Sequence, residues 1–125
     1  MSFVMSSSTL SSRIASELAL GQAATAANPG RARVCARRAA GWAIRAWYQA
    51  REGPAWSGDA MKQLHRLRAD AAAPAALREA AERLTTRVDH DHQLPFDNDP
   101  LEDARGIIEW SGMKKDGGRT TEDGG

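Results

Sequence analysis

Disulfides are the first thing this chain lacks: it has one cysteine, Cys35, in 125 residues. An internal disulfide is therefore excluded, and the chain reads as an intracellular protein held together by packing. No apolar run approaches the ~18 residues that a membrane span requires. The first dozen residues, MSFVMSSSTLSS, have no basic leader and their apolar run is broken by serines, which argues against a secretory signal. Internal repeats and alternating strand patterns are missing too. A cytoplasmic location with no membrane partner is the expectation.

Net charge is also almost absent, at +1, but it is unevenly spread. Residues 1–70 carry ten Lys/Arg against four Asp/Glu, and residues 71–125 carry seven against twelve. A basic half and an acidic half suit self-association or a charged partner. Mutual neutralisation within the fold is the simpler outcome.

What the chain does have is the stretch from Gly30 to Glu52, GRARVCARRAAGWAIRAWYQARE. Ala and Arg are strong helix formers. At about 100° per residue, Cys35, Ala36, Ala39, Ala40, Trp42, Ala43, Ala46, Trp47 and Ala50 share one wide arc without a charge. A helix apolar over so wide an arc belongs at the centre of a bundle. Arg31, Arg38 and Arg45 form a separate stripe.

Four more helices are expected around it. The first follows a flexible serine-rich arm (1–12), is capped at Ser11 or Ser12, and carries Ile14, Leu18 and Gly21 on one face. It stops at Asn28-Pro29-Gly30. Gly53-Pro54 ends the central helix. A third helix, capped by Ser57, buries Met61, Leu64, Leu67 and Ala71 while Lys62, Arg66 and Arg68 stay in water. The fourth has Pro74 in its first turn, Leu77, Ala81, Leu84 and Val88 on its inner face, and i,i+4 pairs Arg78–Glu82 and Glu79–Arg83 outside. A fifth opens on Asp99-Pro100-Leu101-Glu102, which combines an N-cap, an N1 proline and a capping-box Glu. Leu101, Ala104, Ile107 and Ile108 are its apolar edge, and Gly112 its stop. The fold class is all-α, a five-helix up-and-down bundle over residues 13–111 with a disordered tail at 112–125.

Several residues have side chains that could serve a site. Asp89, His90, Asp91, His92 and Asp97 have the chemistry of a Zn, Mn or Ni site, but no helical His-x3-His frames them, so no metal and no cofactor are expected. His65 between Leu64 and Leu67 is a helix-surface residue. Cys35 is packing. Trp47 and Trp56 can stack bases, yet helical spacing makes them core or interface. The Arg31/Arg38/Arg45 stripe is able to hold phosphates; partly buried ion pairs with acids of the fourth and fifth helices are the default.

The order of features resembles the HEPN superfamily of small helical bundles, over roughly Ile14 to Trp110. An Ala-rich run at Ala36-Arg37-Arg38-Ala39-Ala40 is followed by an apolar and basic stretch to Ala46. A segment similar to the family's His-x-x-Leu surrounds His65, and Arg87-Val88-Asp89-His90-Asp91-His92 supplies Arg-x4-His after the fourth helix. The resemblance implies a homodimer whose Arg/His sets meet in one cleft. It also implies RNA or a nucleotide as ligand, or a nucleotidyltransferase-type protein partner in a toxin–antitoxin-like pair. In a catalytic member, Arg87 would clamp the scissile phosphate and His92 would act as acid/base in metal-independent RNA cleavage. Val88 departs from the polar residue usual in active members, and Asp89, Asp91, Asp97 and Asp99 repel a phosphate. The expectation is thus a non-catalytic binding or partner module with Arg38, Arg45 and Arg87 as ligand contacts. A ribonuclease and a ligand-free interaction dimer are the alternatives.

Overall fold

The computed structural model describes residues 7–86 and 98–112. They form five helices: α1 (Ser7–Ala24), α2 (Pro29–Glu52), α3 (Ala60–Ala69), α4 (Ala75–Thr85) and α5 (Pro100–Ser111). The architecture is all-α, with no strand among the described residues. α2 is the longest helix and the axis, packed against α1, α3 and α5 and lightly against α4. α3 lies on α4 and α4 on α5, so the chain circles α2.

The alanine-paved arc explains this centrality. Ala36, Ala39, Ala40, Ala43 and Ile44 are fully buried, and Ala32, Cys35 and Tyr48 nearly so. Small side chains let neighbouring backbones come close from several directions at once. Gly41 is the extreme case: a Cβ there would lie 2.8 Å from the Ala60 Cα and 2.9 Å from its Cβ. Larger residues fill the remaining space, with Ile14 from α1, Leu64 and Leu67 from α3, Leu84 from α4, and Leu101, Ile107 and Ile108 from α5. The arc weakens toward its C-terminal end, where Ala50 is exposed and Trp42 and Trp47 are half-buried.

Most stop signals act where the sequence puts them. Asn28 caps α2 by accepting from the Arg31 N–H at 3.1 Å, and Pro29 is the first helical residue. Asp99 caps α5 through the Leu101 N–H at 2.9 Å, and Gly112 ends it with φ 84°.

Several local expectations are corrected. α1 begins at Ser7, so residues 7–12 are helical rather than an arm, and Ser11 is buried inside the helix instead of capping it. α3 is capped by Asp59, not Ser57; the Asp59 carboxylate accepts from the Lys62 N–H at 2.9 Å, and aspartate is among the best cap residues. Ala71 lies beyond the end of α3 and is exposed. Pro74 occupies the cap position of α4 rather than its first turn. Glu102 does not close a capping box, because its carboxylate pairs with Arg105 one turn on, at 2.8 Å. Neither i,i+4 pair forms on α4: Arg83 reaches Asp103 on α5, and Arg78 Nε donates to the Ala73 carbonyl at 3.1 Å. The tail from residue 113 and Val88 lie outside the described residues.

Candidate functional site

Arginines from α2 build two assemblies of different character. The first faces α4. An α-helix leaves its last carbonyls unpaired and its C-terminus partly negative. Arg33 and Arg37, one turn apart, answer both needs. Arg33 is 5% exposed. Its Nη2 donates to the Arg83 carbonyl and, at 2.7 Å, to the Thr86 carbonyl. Arg37 Nε donates to the Leu84 carbonyl at 2.7 Å. Arg83, on the next face of α4, holds Asp103 of α5 through two bonds of 3.1 and 2.8 Å. Burial lowers the pKa of Arg33 and of Arg37, while the Asp103 hydrogen bond raises that of Arg83. These guanidiniums are spent on the fold: they fasten the end of α4 to α2 and α5.

The second assembly faces solvent around Trp42. Arg38, Trp42 and Arg45 project from α2 into one groove of about 230 Å³, which is closed by Gly58, Asp59 and Ala60 at the start of α3. Arg13 of α1 comes from the other side, its guanidinium 5.9 Å from the Trp42 ring centroid. Trp42 is thus flanked by three cations from two helices: Arg38 and Arg45 line the groove with it, while Arg13 lies over its ring from a separate depression lined by Ser12, Ser16 and Glu17. These cations are only lightly neutralised. Arg38 meets Glu17 of α1 at 3.8 Å and remains 61% exposed. Arg13 and Arg45 form no ion pair among the described residues, and Arg45 Nε is buried with no hydrogen-bond partner there. The sequence predicts partners for this stripe on α4 and α5. The acid that Arg38 meets is instead on α1, because α1 and not α4 lies along this side of α2.

No family model, curated protein or solved structure matches the chain. Its chemistry must be read from the groove itself. Guanidinium forks match phosphate oxygens in two parallel hydrogen bonds. A tryptophan face stacks a base at about 1–3 kcal/mol. Cations beside an aromatic face are the minimum needed to hold an unpaired nucleotide.

A third cluster, at the far end of α2, is closed on itself. Trp47 packs against Trp110 with the rings tilted by 36° and their centroids 4.1 Å apart, and Arg51 covers the Trp47 ring. Arg66 lies over Tyr48 and pairs with Glu52, so it is half-buried rather than wet. The Tyr48 hydroxyl donates to Asp70 at 2.5 Å. Burial, then the Asp70 bond, push the Tyr48 pKa up, and the same bond holds the Asp70 carboxyl below its usual range.

The residues singled out in the sequence fare unevenly. Arg38 and Arg45 come together in the groove. Arg87 and His92, and the Asp89–Asp97 segment with its metal-ligand chemistry, lie outside the described residues. Among the described residues no three His, Cys, Asp or Glu side chains are grouped as a metal site. His65 is exposed. Cys35 is buried, and desolvation followed by its contact with Glu17 raises its thiol pKa, which suits packing rather than reactivity. Sequence reasoning misses Arg13 and places Trp42 in the core. It offers no signal for Arg13, an isolated cation on another helix. For Trp42, the flanking Arg38 and Arg45 at helical spacing are the clue.

Proposed function

We propose that the chain is a HEPN-like helical module that binds single-stranded RNA or a nucleotide in the Trp42 groove. It acts as a non-catalytic binding or partner subunit of a toxin–antitoxin-like pair. One observation carries the reading: Arg38 and Arg45 line one groove with the half-buried Trp42, Arg13 lies over the same ring from an adjoining depression, and neither Arg13 nor Arg45 forms an ion pair among the described residues. The five-helix architecture around a long second helix is compatible with the family resemblance.

Titration of a labelled single-stranded RNA at several salt concentrations tests it. Each phosphate neutralised on a single strand contributes about −0.7 to the slope of log affinity against log salt. Arg45→Ala should weaken binding and make that slope shallower by about 0.7. Absence of any RNA or nucleotide binding at low salt would leave the ligand-free interaction dimer as the better account.

A second reading follows from the family resemblance, with Arg87 and His92 outside the described residues. Arg33 fixes the carbonyl of Thr86, the residue immediately before Arg87. Should the protein cleave RNA without metal, Arg87 serves as the phosphate clamp and His92 as the acid/base. Arg87→Ala and His92→Ala then each abolish cleavage with helix content unchanged. Full activity in either variant removes these roles.

A further inference from the structure

We infer that the Trp42 groove reads the base as well as the phosphate, with the Asp59 carboxylate as a specificity residue that selects guanine; this rests on the nucleotide-binding reading above.

A site for phosphate alone has no use for an acid. Asp59 lines the same groove as Arg38 and Arg45. It is there first as the cap of α3, which commits one of its oxygens, Oδ1, to the Lys62 N–H at 2.9 Å. The other oxygen accepts no hydrogen bond among the described residues, and Oδ1 keeps a second lone pair. Gln63, the other polar side chain on that wall, is occupied: its carbonyl oxygen accepts from Trp56 Nε1 at 2.6 Å and its amide donates to the Gly58 carbonyl at 3.2 Å. The groove therefore has cations on its α2 side and, on its α3 side, one free carboxylate oxygen beside another with a lone pair to spare, with Trp42 lining it too. Close contact of Gly41 with Ala60 keeps those two sides together.

A nucleotide has the matching polarity. Its phosphate is the anion for Arg38 and Arg45, and its base offers a π-face to Trp42. Guanine presents N1–H and the N2 amine side by side, two donors that fit the two oxygens of a carboxylate. Adenine and cytosine set one amine donor beside an acceptor. Uracil sets one N–H between two carbonyls. Each of those three brings at least one acceptor against a carboxylate that can only accept. The base must be unpaired, because a duplex buries both its face and this edge.

Calorimetric titration of the full chain with GMP, IMP, AMP, CMP and UMP at low salt tests the inference. GMP should bind about tenfold more tightly than UMP or AMP, the discrimination typical of a two-bond base contact. IMP, which keeps N1–H but loses the N2 amine, should fall between them. Asp59→Asn preserves the helix cap, since Asn and Asp cap equally well, and circular dichroism verifies the fold. Its side chain has one acceptor and one donor group, so the GMP preference should disappear and AMP should gain relative to GMP. Equal binding of all five nucleotides by the wild type overturns base reading, and so does a GMP preference that survives in Asp59→Asn. If Arg45→Ala weakens all five in the same experiment, nucleotide binding itself stands. If no mononucleotide binds, base reading falls, and the titration with single-stranded RNA decides whether the binding reading falls with it.

Discussion

Two glycines show how the same substitution takes opposite signs in this molecule. At Gly41 an added methyl would overlap the Ala60 backbone, which cannot rotate away as a side-chain tip can. Overpacking of this kind costs about 1–3 kcal/mol. Gly106 sits on the exposed side of α5, and a methyl added there would meet nothing within 4 Å. There Ala should stabilise by up to about 1 kcal/mol, through helix propensity alone. Urea melts of Gly41→Ala and Gly106→Ala should move in opposite directions. A second contact, the Tyr48–Asp70 hydrogen bond, sets a pH dependence at both ends. Asp70 has a depressed pKa in the fold. Its stabilisation is present above the unfolded value of about 3.9 and fades as pH falls through the folded one. Tyr48 has a raised pKa, so its contribution is complete below the unfolded value of about 10 and fades as pH rises beyond it. Tyr48→Phe should lower stability at pH 7 and flatten both limbs of a melting-temperature profile. A profile parallel to wild type would mean that the bond carries no pH-dependent stability.

At the scale of elements, the end of α4 is the most heavily invested feature. Three of its C-terminal carbonyls are held by two guanidiniums of α2, and its Arg83 is tied to α5. Hydrogen bonds from charged donors contribute about 1.5–3 kcal/mol each when buried. Arg33→Ala should therefore cost about 2–3 kcal/mol, and Arg37→Ala less because Arg37 is only half-buried. Amide exchange should localise the loss: Leu84 and Thr85 in the last turn of α4 exchange faster, while Ile14 and Leu18 in α1 do not. The existence of α4 was legible in the sequence, and this clamp was not. Helix boundaries come from short-range chemistry such as Asn28-Pro29, Gly53-Pro54 and Asp99-Pro100, which a local reading captures. Five arginines between residues 31 and 45 wind around α2, and which of them meets a carbonyl depends on where α4 ends in space. Sequence spacing therefore favours the Arg31/Arg38/Arg45 stripe and passes over Arg33 and Arg37. The same limit applies to the candidate site. Arg38, Trp42 and Arg45 are three and four residues apart and can be grouped by spacing, whereas Arg13 and Asp59 join them only through the packing of α1 and α3.

Across the whole molecule, the helices differ in how many neighbours hold them, and the groove lies between α2 and α3 with α1 beside it. α3, α4 and α5 support one another around the axis, but α1 rests on α2 and touches α5 only slightly. Its buried residues, Ser11, Ile14, Leu18 and Gly21, all lie on the one face turned to α2 and α5. It has neither an acidic residue in its first turn nor a basic one in its last to complement the helix dipole. A helix held almost wholly by one neighbour can open without disturbing the others. Hydrogen–deuterium exchange should accordingly find α1 exchanging before the central part of α2. Since Arg13 of α1 lies 5.9 Å from the Trp42 ring centroid, in the depression next to the groove, a strand that passes over Trp42 from the groove would tie α1 to α2 and α3. Saturating single-stranded RNA should then slow exchange in α1 and at the start of α3 while leaving α5 unchanged. Uniform slowing throughout the chain would mean global stabilisation rather than closure of this groove, and unchanged α1 exchange in the bound state would remove Arg13 from the site.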